Sequence, residues 1–172
     1  MPPATKPSWL WGAFSPLGLS VAAATVIIDQ AHKWWMLEIY RIQEKGRVSI
    51  LPFFDLIFVK NTGISYGLGA GYIGQVELAA FALIAALGLV IWLARGEMNS
   101  VMAISLGFII GGAVGNAIDR LYLGGVADFF LLSAYGYSWY VFNIADVAIV
   151  AGAIGLLYDS FWPSRNGASK QP

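Results

Sequence analysis

The chain has 172 residues, of which 58% are hydrophobic and 12% are charged, and its formal net charge at pH 7 is zero. A soluble domain of this length needs more polar surface, so the composition predicts a membrane protein, and the neutral balance argues against a nucleic-acid partner. There is no cysteine and only one histidine, which excludes disulfides, thiol chemistry and a zinc site built on thiolates or several imidazoles.

Four apolar stretches are long enough to span a bilayer, which takes about 20 residues in a helix. In chain order they cover residues 16–36, 73–94, 101–118 and 139–158. The first also has the length of a signal-peptide core, but it runs on into charged and aromatic residues, so we expect an uncleaved helix. The sequence therefore predicts an all-α integral membrane protein, with four transmembrane helices in a single domain.

The segments between these stretches differ in character. Residues 37–72 contain aromatic and β-branched runs typical of short strands, which predict a small β-rich cradle at the membrane interface between helices 1 and 2. Residues 95–100 form a short polar link, so the second and third helices make an antiparallel hairpin. We expect an outer loop over residues 119–138 and a disordered cytoplasmic tail over residues 160–172.

Four aspartates lie inside or beside the apolar stretches, namely Asp29, Asp119, Asp128 and Asp146. A carboxylate at that depth is costly, usually faces a protein interior, and often marks chemistry or transport. With four spans, helices 1 and 3 end on the side where helices 2 and 4 begin, so all four aspartates fall at one membrane face. Asp146 is expected about seven residues into helix 4, roughly 10 Å along its axis.

Polar side chains recur at helical spacing near these aspartates. Gly112, Asn116 and Arg120 are four residues apart and share one helix face, and Asn143 and Asp146 are three residues apart. Together with the nearby aspartates, they predict a polar cluster inside the helix bundle.

A structural network of ion pairs and hydrogen bonds is one explanation of this cluster. It accounts well for Asp29 and Asp119, but it accounts poorly for Asp128, because a loop carboxylate adds little to helix packing.

Asp128 and Asp146 are the candidate catalytic pair. Two carboxyl groups a few ångströms apart share a proton and titrate as a unit. One then acts as a general base on water, while its partner polarises a carbonyl and later protonates the leaving nitrogen. Two other classes remain open at this point: a small proton-coupled transporter that uses the aspartates as a relay, and a non-catalytic membrane scaffold.

Several motifs resemble those of the bacterial lipoprotein signal peptidases (signal peptidase II). They are residues 61–67 (NTGISYG), residues 111–120 (GGAVGNAIDR), residues 125–129 (GVADF), residues 142–146 (FNIAD) and the first-helix pattern at residues 29–33 (DQAHK). Their order and spacing agree with the family. Ile64, Ser65 and Tyr66 depart from its usual pattern, which alters packing near the site without affecting a catalytic position.

The resemblance implies a membrane aspartic endopeptidase. It would remove the signal peptide from diacylglyceryl-modified prolipoproteins, cutting before the lipidated cysteine, and its catalytic pair maps onto Asp128 and Asp146. The positions that bind substrate or support the pair map onto Asn61, Gly63, Asn116, Asp119, Arg120, Asn143, Asp29 and Lys33.

The resemblance also sets expectations for partners and location. It implies a lipidated prolipoprotein substrate, contact with membrane lipid and inhibition by globomycin-type cyclic peptides, with no cofactor and no metal, and we expect a monomer. The protein is expected in the bacterial cytoplasmic (inner) membrane, multi-pass, with its active site toward the outer, periplasmic side. Six of the ten Lys and Arg residues fall on that side, the reverse of the positive-inside rule.

Overall fold

The structure, a computed structural model, describes residues 12–63, 74–135 and 137–161. Five sequence-based predictions fall partly outside these ranges. They concern residues 64–67 of the first motif, residues 64–72 of the predicted cradle, the start of predicted helix 2 at residue 73, residue 136 of the predicted outer loop, and residues 162–172 of the predicted tail.

The described chain is mostly helical, with one short π-helical turn directly after the first helix. Its helical segments are α1 (Ser15–Trp34), the π turn (Trp35–Ile39), α2 (Ile42–Lys45), α3 (Gln75–Arg95), α4 (Ser100–Leu123) and α5 (Ile144–Phe161). By length and composition, three helices in the described ranges can cross a membrane: α3, α4 and α5. Helix α1 has 20 residues but is less apolar, since its last two turns carry Asp29, Gln30, His32 and Lys33.

Helix α4 is the centre of the bundle and packs against α1, α3 and α5. Glycines allow this close approach. A Cβ atom at Gly107 or Gly111 would lie within 2.6 Å of a backbone oxygen of α1, and one at Gly112 would lie 2.5 Å from the Ala145 oxygen of α5. Small residues let membrane helices meet backbone to backbone. Because α4 touches both α1 and α5, its polar residues can bridge them.

A four-stranded antiparallel sheet covers one end of the bundle, in the order β1-β2-β3-β4. Its strands are β1 (Val48–Leu51), β2 (Phe54–Asn61), β3 (Val126–Ala134) and β4 (Tyr137–Phe142). The predicted cradle between helices 1 and 2 was therefore incomplete, because half of the sheet follows α4. Strands β2 and β3 pair Val59 with Asp128 and Asn61 with Val126.

Two sequence-based boundaries were wrong, and both matter for the aspartates. The predicted loop over residues 119–138 is the end of α4 followed by β3, so Asp128 lies on a strand. The predicted fourth helix began at residue 139, but residues 137–142 are β4 and α5 begins at Ile144. Short apolar runs fit a strand and a buried helix equally well by periodicity, which explains the error. Asp146 therefore lies in the first turn of α5.

Candidate active site

The start of α5 positions Asp146 through a reciprocal pair of hydrogen bonds. The Asp146 N–H donates to Oδ1 of Asn143 over 3.0 Å, and the Asn143 N–H donates to Oδ2 of Asp146 over 3.3 Å. This is a capping box, in which the residue before the helix and the third helical residue satisfy each other's backbone N–H groups. The spacing of Asn143 and Asp146 thus serves the helix terminus and holds the carboxylate in one orientation.

Asp128 lies on the buried strand β3, and its carboxylate is held by two asparagine side chains. Its side chain is almost fully buried, and Asn143 Nδ2 donates to its Oδ1 over 2.7 Å. Asn61 Nδ2 at the end of β2 donates to its Oδ2 over 3.3 Å. Asn143 therefore contacts both carboxylates, through its side chain to Asp128 and through its backbone N–H to Asp146.

Asn116 on α4 contacts both Asp146 and Asn143. Its Nδ2 donates to Asp146 Oδ1 over 2.9 Å, and its Oδ1 accepts from Asn143 Nδ2 over 3.1 Å. The two candidate catalytic carboxylates are thus linked by amide side chains from α4 and from the β4–α5 junction. Asp128 on β3 and Asp146 on α5 come close together because the sheet packs over one end of the helix bundle.

Burial gives Asp128 unusual acid–base behaviour. Removal from water, and to a smaller extent the negative charge of Asp146, raise its pKa from the ordinary value of 3.8 to about 7. Hydrogen bonds from Asn143 and Asn61 and the charge of Lys33 act in the opposite direction. A carboxyl group with this pKa can hold or release a proton near neutral pH, as general acid–base chemistry requires.

Asp29 and Asp119 belong to a separate buried cluster centred on Lys33. Lys33 Nζ lies 2.7 Å from a carboxylate oxygen of each, and it also donates to Asn116 Oδ1 over 3.3 Å. Gln30 Nε2 donates to Asp119 over 2.9 Å and to Asp29 over 3.2 Å. All the charged members of this cluster are at most 2% exposed.

The two carboxylates of this cluster each hold the backbone next to a candidate catalytic residue. Asp29 Oδ1 accepts from the Ala145 N–H over 2.9 Å, one residue before Asp146. Asp119 Oδ2 accepts from the Ala127 N–H over 3.0 Å, one residue before Asp128. The Lys33 cluster therefore joins α1, α4, β3 and α5 directly behind the site.

Arg120 lies directly after Asp119 but forms no ion pair among the described residues. Its guanidinium donates to two backbone oxygens instead, from Nη2 to Gly63 over 3.2 Å and from Nη1 to Asn116 over 3.4 Å. Its Nε is buried and has no hydrogen-bond partner in the described part of the chain. The Gly63 N–H in turn donates to Asn61 Oδ1 over 3.0 Å, which ties Arg120 to the Asn61 turn.

Two cavities and a groove border the carboxylates. The Asp128 cavity, about 310 Å³, lies along the sheet and includes Asn61 and Trp139. The Asp146 cavity, about 220 Å³, includes Asn116 and Arg120. The apolar groove, about 460 Å³, runs from Asp146 along α5 and is lined by Leu132, Tyr140, Phe142, Val147, Val150, Ala151 and Ile154.

Sequence reasoning missed two residues of this site. Gln30 bridges the two aspartates of the Lys33 cluster, and its place directly after Asp29 in the first-helix motif was an available signal. Tyr140 borders all three spaces just described, and nothing in the sequence pattern indicated that. No group of His, Asp and Glu side chains within the described ranges is arranged to hold a metal ion.

Two carboxylates linked through amide side chains beside cavities, in a bundle that contains membrane-length helices, are an arrangement suited to acid–base chemistry in a membrane enzyme. Residues 21–162 match the family model described as "Signal peptidase (SPase) II". The chain therefore belongs to the signal peptidase II family, as its motifs predicted. This membership sets aside the transporter and scaffold alternatives.

Relatives and solved structures agree with this assignment. The lipoprotein signal peptidase of Rhodopseudomonas palustris (strain ATCC BAA-98 / CGA009) is 51% identical over 150 residues, covering 84% of this chain and 91% of the relative. That of Nitrobacter hamburgensis is 50% identical, covering 90% and 96%. A solved structure described as a bacterial membrane enzyme has a TM-score of 0.75 at 25% identity, covering 91% of this chain and 94% of the other.

Proposed function

We propose that the chain removes signal peptides from diacylglyceryl-modified prolipoproteins, cutting before the lipidated cysteine, and that Asp128 and Asp146 perform the chemistry. Family membership supports the reaction. The observation that supports the pair is the bridge through Asn143, which contacts both carboxylates beside the cavities.

The reaction starts with one proton shared by the two carboxyl groups. The ionised group takes a proton from a water molecule as the water oxygen attacks the carbonyl carbon of the scissile peptide bond. The protonated group donates a hydrogen bond to the carbonyl oxygen, which carries negative charge in the tetrahedral intermediate. The carbon–nitrogen bond then breaks, a proton passes to the leaving nitrogen, and a free amino group remains on the lipidated cysteine.

The surrounding polar residues position the pair and the substrate. Asn143 and Asn116 fix the carboxylates, and Asn61 fixes the outer side of Asp128. Arg120 borders the Asp146 cavity, and its guanidinium holds the Gly63 carbonyl. We assign Asn61, Gly63 and Arg120 to binding of the substrate backbone, and we assign Asp29, Lys33 and Asp119 to support.

We further propose that α1 is a fourth membrane span and that the site faces the periplasm from the inner membrane. Ile27 and Ile28 on α1 are 66% and 57% exposed, as expected of lipid-facing side chains, and Trp34 and Trp35 are exposed where the helix ends. We also propose that the enzyme acts as a monomer. Globomycin-type peptides would occupy the cavities beside the pair.

The test of the pair replaces each aspartate by asparagine in the purified enzyme and measures cleavage of a lipidated precursor peptide. Asp128→Asn and Asp146→Asn should each lower kcat by roughly a thousandfold or more, because the residues act as a unit. The matched control is Asp159→Asn, near the far end of α5, where the carboxylate accepts from Asn99. Near-normal cleavage by either site variant would refute the assignment.

A further inference from the structure

Tyr140 stands at the junction of the three spaces that surround the candidate catalytic pair. It borders the Asp128 cavity, the Asp146 cavity and the apolar groove, and no other residue lining them in the described ranges borders all three. Asn61 is shared by the two cavities, and Asp146 is shared by the second cavity and the groove. The Tyr140 side chain therefore forms part of the wall between a polar region and an apolar one.

The position of the Tyr140 ring is set by β4 and by neighbouring aromatic rings. Tyr140 pairs with Leu132 of β3, and its ring stacks on Phe142 with centroids 6.0 Å apart and planes 10° apart. Phe142 in turn contacts Phe130, two residues after Asp128, with centroids 5.5 Å apart. Stacking on Phe142 restrains the two side-chain torsions of Tyr140, so the ring can act as a wall.

The apolar groove is suited to hydrocarbon and poorly suited to peptide backbone. Apart from Asp146 and the Tyr140 phenol, its lining side chains are apolar. It continues along Val147, Val150 and Ile154 of α5, one of the three helices that can cross a membrane. A peptide in it would leave N–H and C=O groups without partners, whereas an acyl chain has no such groups.

We propose that Tyr140 is a specificity-determining residue that separates the peptide of the substrate from its lipid, with one acyl chain of the diacylglyceryl group in the apolar groove. The inference rests on the proposed function, in which the scissile bond adjoins the lipidated cysteine. The acyl chains must therefore leave the site close to the catalytic pair. The groove begins at Asp146, and it leads from there along a membrane-length helix.

The experiment compares two synthetic precursor peptides of identical sequence in detergent micelles. The cysteine of one carries a dipalmitoylglyceryl group, and that of the other carries a dibutyrylglyceryl group, too short to follow the groove. Tyr140→Ala should raise KM for the long-chain substrate by roughly tenfold, the scale of a few lost methylene contacts, while kcat and the short-chain KM change by less than about twofold. Tyr140→Phe should behave as the unchanged enzyme, because the ring forms the wall.

Two further variants keep the test decisive if Tyr140→Ala folds poorly. Ala151→Trp would fill the groove from an exposed position of α5, and it should raise KM for the long-chain substrate alone. The matched controls are Ala85→Trp on an exposed position of α3 and Tyr122→Ala, whose side chain is 87% exposed on α4. Neither control should change the ratio of the two KM values.

The outcomes separate this inference from the proposed function. Equal effects on both substrates, or no effect on either, from Tyr140→Ala and Ala151→Trp would overturn the acyl-chain assignment. A loss of kcat at unchanged KM in Tyr140→Ala would do the same, because it would make the ring a support of the catalytic pair. If the unchanged enzyme cleaves neither lipidated peptide, the proposed function itself fails.

Discussion

Two pairs of aspartates lie side by side in this molecule, three of them buried and Asp146 half-buried, and the pairs differ in what neutralises them. Asp29 and Asp119 each lie 2.7 Å from the ammonium group of Lys33. Among the described residues, Asp128 and Asp146 form no ion pair, and asparagine side chains contact both. A cation offsets the cost of burying a carboxylate, whereas neutral amides do so only in part. The placement of one lysine thus distinguishes the Lys33 cluster from the candidate catalytic pair.

Removal of the cation should have the largest effect on the Lys33 cluster. Lys33→Met leaves two carboxylates buried without a counter-ion, which should lower the free energy of unfolding by about 3–5 kcal/mol. Thermal unfolding in detergent micelles measures the change. Lys45→Met is the control, because Lys45 is exposed and contacts the Tyr40 ring. A Lys33→Met protein as stable as the control would mean that Lys33 does not stabilise the two buried carboxylates.

The same substitution in one member of each pair should change the free energy of unfolding in different ways. Asp119→Asn should lower the free energy of unfolding by about 1.5–3 kcal/mol, because it weakens charged hydrogen bonds from Lys33 and Gln30. Asp128→Asn should leave that free energy unchanged or raise it, because it removes a buried charge beside Asp146, while abolishing cleavage. Chemical denaturation and an activity assay on the same samples measure both. Equal destabilisation by the two variants would contradict the distinction between the Lys33 cluster and the candidate catalytic pair.

The third and smallest effect is the pH dependence of cleavage. With the pKa of Asp128 raised to about 7, the shared proton is lost as the pH rises through that value. Above it, kcat/KM should fall about tenfold per pH unit.

The same raised pKa affects stability in the same direction. The folded state binds more protons than the unfolded state between pH 3.8 and about 7, so the contribution of Asp128 to stability is lost as pH rises through this window. A pH–rate profile and denaturation at several pH values measure the two effects. A rate that stays constant to pH 9 would argue against a shared proton.

Parts of the site could be predicted from the sequence, because their contacts join residues that are close together in the chain. Asp29 and Lys33 are four residues apart on one helix face, and Asn143 and Asp146 have capping-box spacing. The family motifs contain every site residue that we proposed from the sequence, but not Tyr140, and membrane-length apolar stretches predicted α3, α4 and α5.

Other parts of the site could not be predicted from the sequence, because they depend on pairing between strands that are far apart in the chain. Strand β2 pairs with β3 across more than sixty residues, and that register brings Asn61 to Asp128. Residues 137–142 are apolar enough to pass for helix, and only their pairing with β3 makes them a strand.

The sequence alone determined the membrane class, the approximate positions of three membrane-length helices, and the residue types available for acid–base chemistry. Those properties follow from composition and from contacts within a few residues. The tertiary structure decided which aspartates share Lys33, which are bridged by Asn143, and that Tyr140 borders the site. These contacts depend on how α4 and the sheet bring α1, β3 and α5 together, and no one-dimensional pattern specifies those distances.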